Sequence, residues 1–181
     1  MRKLLFLFLL IFISCGDDPL PKPRAFLNLE YPVQNYETLT LERPYLFEVS
    51  NQSILKDEPK QWLKIQYPQL KASVDITYRK VDTNLRELLV ESEKLVFKHA
   101  VKAEQISSND YTDSKKRVFA TLHEITGNAA SQIQFHITDS TNHFVKGALY
   151  FKTKPNYDSV LPAVAYIKKD ILRLMETFEW R

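Results

Sequence analysis

The chain is nearly without cysteine and glycine: one Cys and three Gly occur among 181 residues. With Cys15 alone, no intrachain disulfide or multi-thiolate metal centre can form, and an acylated thiol would leave no cysteine nucleophile. Only Gly127 and Gly147 lie beyond Gly16, so a Gly-rich phosphate loop or a dinucleotide fingerprint lacks the residues it needs. Long apolar runs are missing too. The longest, Leu4–Ile13, rises roughly 15 Å as a helix, about half of a bilayer's hydrocarbon core, and cannot span it stably. Nor is there a strong excess of charge. No basic cluster is denser than Lys115-Lys116-Arg117, and three charges at a strand entry read as a solvated end rather than a nucleic-acid surface. No nucleic-acid partner is expected.

What stands at the start is a secretory leader: Arg2 and Lys3, the apolar run, then the small Ser14. Phe12-Ile13-Ser14-Cys15 resembles the lipobox of bacterial lipoproteins, in which cleavage before the Cys leaves it as the acylated first residue. Phe12 departs from that motif's commoner Leu. The reading is a leader over 1–14, cleavage between Ser14 and Cys15, and lipidation of Cys15. Of 25 basic side chains, Arg2 and Lys3 leave with the leader, so 23 face 22 acidic ones and the net charge is +1 rather than +3. Pro19, Pro21 and Pro23 make residues 15–24 an extended tether of about 3.1 Å per residue. Asp17 and Asp18 in it resemble, weakly, an acidic signal for export to the cell surface. Residues 25–181 suit one domain with its own apolar core.

Along that domain the pattern predicts an α+β fold, a mainly antiparallel sheet with two long amphipathic helices in the order β-β-β-α-β-β-β-α. Residues 25–41 read as an aromatic strap, and 51–60 and 107–113 as polar loops. Strands are expected over 45–50, 62–67 and 71–80, the last with Ala72, Val74, Ile76 and Tyr78 on one face. Asp82-Thr83-Asn84 caps a helix running to about Ile106, with a stripe through Leu85, Leu88, Leu89, Ser92 and Val96. A meander follows over 115–125, 131–139 and 143–153, with Gly147 opposite Phe135 so that the missing side chain makes room for the ring. The last helix is expected to be capped by Asp158, with Pro162 in its first turn and a stripe from Val160 to Phe178. The apolar Trp180 is expected to be docked.

No catalytic constellation emerges. The expected register starts His123 and His136 some 10 to 13 Å apart, by the rise of about 3.3 Å per residue, too far to share a zinc. His99 reads as a core histidine, and Gly127–Ser131 lacks the nucleophile elbow of serine hydrolases. No metal, cofactor or enzymatic activity is expected. Gln132, Gln134 and His136 fall beside Phe144, Lys146 and Tyr150, a mixed aromatic-polar face of the kind proteins use to bind one another, unless a helix or the strap covers it. Tyr31 and Tyr36 of the strap complete the candidate interaction surface.

Several blocks together resemble a known family. The Cys15 signal, Pro21–Pro32, Tyr67–Ala72, Gly127–Phe135, Thr138–Ser140 and Lys154–Val160 are similar to the GldD gliding-motility lipoproteins of Bacteroidota, over essentially the whole chain. The resemblance implies a lipoprotein needed for surface gliding, and the reading taken from it is an outer-membrane lipoprotein with the periplasmic side favoured over the cell surface. It would support the assembly or stability of the gliding and type IX secretion apparatus through protein contacts. Its partners are then the membrane, through acylated Cys15, and other envelope proteins of that apparatus. Two other readings stay open: a ligand-binding or chaperone module for glycan or secreted clients, with a pocket lined by Tyr31, Tyr36 and Tyr45, and an envelope hydrolase.

Overall fold

The computed structural model describes residues 30–99, 101–154 and 156–181; the leader, Cys15 and most of the tether fall in 1–29, outside them. The order is β1 (Tyr36–Thr38), β2 (Tyr45–Leu46), β3 (Glu48–Ser50), β4 (Ile54–Glu58), β5 (Trp62–Tyr67), β6 (Ala72–Lys80), α1 (Leu85–His99), β7 (Ala103–Asp113), β8 (Val118–Gly127), β9 (Ile133–Thr138), β10 (His143–Phe151), α2 (Tyr157–Glu176) and β11 (Glu179–Trp180). Seven strands form one antiparallel sheet in the order β4-β5-β6-β10-β9-β8-β7, and β1–β3 and β2–β11 are two-stranded ribbons beside it.

Alternation divides the sheet. Leu63, Ile65, Val74, Ile76, Leu122, Ile133, Phe135, Ile137, Val145 and Leu149 join one core with Val160, Val164, Ile167, Ile171 and Leu174 of α2. Tyr45, Phe47 and Phe178 close its end as stacked rings with centroids 5.8–5.9 Å apart. The opposite face carries the polar set and meets α1. That helix rests on two separate apolar footings, Leu88 with Val81 and Phe144, and Val96 with Ile125 and Ala129. The result is a sheet between two helices, with the strap and its ribbons on the α2 side.

The α+β class and both helices are as expected, while the strand order is only roughly matched. Helix α1 stops at His99, and 103–113 is a full strand rather than a helix end followed by a polar loop. Ser, Asn, Asp and Thr favour no helix, and an edge strand needs no apolar face because main-chain bonds to β8 hold it. The same reason explains β4 in the expected loop at 51–60. The single strand expected at 45–50 is divided at Phe47, so that β2 pairs with β11 and β3 with β1. Position Asn156, not Asp158, is the cap of α2, and Pro162 lies in the second turn rather than the first. The amide of Tyr157 instead donates to Asn128 Oδ1 at 2.9 Å, tying the β8–β9 turn to the start of the helix.

The β9–β10 turn is closed by Asp139, whose Oδ1 accepts from the amides of Thr141, Asn142 and His143 at 2.8–3.0 Å. This sets Gly147 opposite Phe135, and a Cβ on Gly147 would make an impossible contact with Phe135 Cζ unless the ring moves. Trp180 is docked as expected, stacked on His143 at 5.1 Å, with its indole N–H donating to the Arg117 carbonyl at 3.0 Å. Gly147→Ala should therefore cost about 2–3 kcal/mol by overpacking, and Phe135→Leu in the same chain should recover part of it. Urea denaturation of the two single variants and the double variant reads this directly; purely additive losses would contradict the ring-for-side-chain exchange.

Candidate functional site

The six candidate surface residues lie on opposite sides of the sheet. Tyr31 and Tyr36 belong to the strap over α2, where Tyr31 stacks on Tyr166 with centroids 4.7 Å apart. Around them the chain builds a latch on one carboxylate. Asp170 is 6% exposed and accepts from Gln34 Nε2 at 2.7 Å, from the Tyr67 hydroxyl at 2.9 Å and from the Tyr36 hydroxyl. Gln34 also donates to the Tyr166 carbonyl, and the Tyr166 hydroxyl to that of Pro32, each at 3.0 Å. Burial raises the pKa of Asp170 despite its three donors. Burial first, then the neighbouring carboxylate, raises those of Tyr36 and Tyr67, which stay protonated donors. Gln34, Tyr36 and Tyr166 are committed to holding the strap, and Tyr67 fixes Asp170 from β5. Tyr45, expected with them in a pocket, is wholly buried in the core; burial raises its pKa to about 12 and its hydroxyl donates to the Gln61 carbonyl at 2.8 Å. Asp170→Ala leaves the buried Tyr67 hydroxyl unmatched and removes the strap's anchor, and should cost about 2–3 kcal/mol, with limited proteolysis cutting within 30–41 markedly faster. Unchanged cleavage there would show that the latch does not hold the strap.

On the other face, His136, Phe144, Lys146 and Tyr150 do lie together, but not as an open surface. His136 is 8% and Phe144 4% exposed, and Gln132 and Gln134 are buried as well. Helix α1 covers them. Alternation shows which residues share a face but not whether water reaches it. The usable signal was the apolar stripe of α1, which needed a partner once α2 had taken the apolar face of the sheet. Lys146 and Tyr150 remain partly exposed and line a cleft of about 360 Å³ between α1 and the sheet, with Trp62, Thr77, Leu88 and Leu95.

The two histidines are closer than the expected register allowed. His123 pairs with Gln134 and Thr121 with His136, so the rings lie diagonally with centroids 6.3 Å apart. His136 stacks on Phe144 at 5.6 Å, and His123 Nδ1 shares a 2.8 Å hydrogen bond with Ser108. Among the described residues no group of three metal-ligating side chains occurs. Burial, with His123 alongside, lowers the pKa of His136 to about 4, and burial lowers that of His123. Between pH 6.5 and about 4 the unfolded chain therefore binds protons that the folded one refuses. Stability should fall as pH drops through that window, His136 contributing up to about 3 kcal/mol. Urea titrations from pH 7 to 4 should show the slope flattened in His136→Gln; an equally steep variant would contradict it.

Residues 16–180 match the family described as gliding motility lipoprotein GldD. The chain belongs to this family. All of the sequence blocks that carried the resemblance beyond Cys15 fall within the matched span, and Asn128 and Tyr157, hydrogen-bonded to each other, come from two of them. No curated protein matches the chain significantly. GldD lipoproteins are defined by motility rather than by a reaction, and no described helix is long and apolar enough to cross a membrane. The family's description as a lipoprotein fits a protein associated with the membrane. Cys15 itself precedes the matched span and lies outside the described residues.

Proposed function

We propose that this chain is a non-enzymatic accessory protein of the gliding and type IX secretion apparatus of a member of the Bacteroidota. It is anchored through acylated Cys15 in the outer membrane, on the periplasmic side, and stabilises that apparatus through protein contacts. Membership of the GldD lipoprotein family carries this reading. The strap latch supports its mechanical part, because the chain coming from Cys15 meets a segment fixed to α2 through Asp170, so the domain is carried from one defined place. At most 15 residue steps separate Cys15 from Glu30, a reach of about 50 Å. A lipid anchor on so short a tether raises the effective concentration of weakly bound membrane partners, commonly to millimolar, and more than one acyl chain makes the anchoring durable.

Cys15→Ser should move the protein to the soluble envelope fraction, leave its unfolding transition unchanged and abolish gliding. Cell fractionation, thermal melting and a colony-spreading assay measure the three. A variant that stays membrane-bound, or that glides normally at native expression, would overturn the anchoring argument. Protease shaving of intact cells decides the side: digestion without permeabilisation would refute the periplasmic placement. Crosslinking in native membranes should recover components of the gliding apparatus with the wild type and lose them with Cys15→Ser.

A further inference from the structure

The cleft beneath α1 is not used by the accessory role proposed above. It exists because the floor is made of short side chains: Thr77 stands opposite Lys146, and Ala148 opposite Asp75. Helix α1 is propped above it on Leu88 and Val96, its two separate footings. At about 360 Å³ the space is that of a small-molecule pocket. Its charges are matched with one exception. Arg79 pairs with Glu91 at 3.1 Å, and Asp75 with Lys64 at 3.1 Å. Lys146 projects into the cleft between these pairs. Its ammonium group has no hydrogen bond or ion pair among the described residues, and Glu91, which acts on it through space, is already held by Arg79. Burial lowers its pKa, the mark of a cation that has given up water without gaining a partner. The walls around it are apolar: Leu88 and Leu95 from the helix, Phe144 and Tyr150 from the strand, and Trp62 at the rim.

We infer that this cleft binds a small organic anion with an apolar body, its acidic head paired with Lys146 and its body lying between α1 and Phe144. An inorganic anion would leave the apolar walls unused, and a neutral amphiphile would leave Lys146 unmatched. The site lies on the face of the sheet opposite the strap latch, so it stands or falls independently of the anchoring through Cys15.

The test uses the chain from residue 15 with Cys15→Ser, which retains the whole core from Leu39 to Phe178. The probe is 8-anilinonaphthalene-1-sulfonate, an aromatic monoanion, titrated by fluorescence and displaced by decanoate, decanol or inorganic phosphate. One saturable site is expected, with decanoate displacing the probe at a tenfold or lower concentration than decanol, and phosphate alone ineffective. Lys146→Gln should weaken probe binding at least tenfold, Lys146→Arg should largely restore it, and Lys115→Gln should change nothing. Ala148→Leu, which raises the floor and keeps the charge, should also abolish binding; it carries the test if Lys146→Gln lowers the melting temperature. Equal displacement by decanol would reduce the cleft to an apolar patch, equal displacement by phosphate would reduce it to an adventitious anion site, and undiminished binding in both Lys146→Gln and Ala148→Leu would place the probe elsewhere. Each of these overturns the inference.

Discussion

The two faces of the seven-stranded sheet are chemically unequal, and the placement of everything else follows from that inequality. One face, through Ile133, Phe135, Ile137, Val145 and Leu149, is apolar over the central strands. The hydrophobic effect gives it to α2, the helix with the longer apolar stripe. The other face carries His123, Gln134, His136 and Lys146, and α1 can bury its stripe there only at the two places where an apolar cluster exists. A helix supported at two points over a polar floor cannot pack as closely as one seated along its whole length. The cleft is a product of that incomplete seating.

At the other end of the architecture a single buried carboxylate organises the strap. A charge under α2 is not a source of stability in itself, since desolvation weighs against it, as the raised pKa of Asp170 shows. What it supplies is definition. Its three side-chain donors come from Gln34 and Tyr36 of the strap and from Tyr67 of β5. The strap can therefore occupy one position rather than slide along an apolar surface. Under the proposed anchoring through Cys15, fixing that segment would fix where the domain hangs from its tether. The cleft beneath α1 lies on the opposite face of the sheet from the strap.

The GldD family relation and the fold meet in particular residues. The turn after β8 and the start of α2 are two of the recognisable sequence blocks, and they touch through Asn128 and Tyr157. Gly147, a third informative position, is explained by the ring of Phe135 alone. Such positions report on folding rather than on chemistry. This is why a family can be legible in a chain without an active site being legible with it.

Local pattern determined a good deal by itself. The two helices are read from their stripes, while the leader and Cys15 remain an expectation from composition and spacing outside the described residues. The central strands follow from strict alternation, and the Gly147–Phe135 exchange from pairing across one turn. These features depend on interactions over a few residues or across a single hairpin. The edge strands β4 and β7 were not legible, because main-chain pairing without an apolar face leaves almost no trace in side-chain order. The closeness of His123 and His136 depended on a register that the turn after β8 sets, and a shift of two residues in it moves the rings by several ångströms. Whether the polar face was wet, and that Lys146 would find no hydrogen-bond or ion-pair partner among the described residues beneath α1, only the tertiary structure decided. Burial is a property of which elements meet, and the same alternating strand reads identically under water and under a helix.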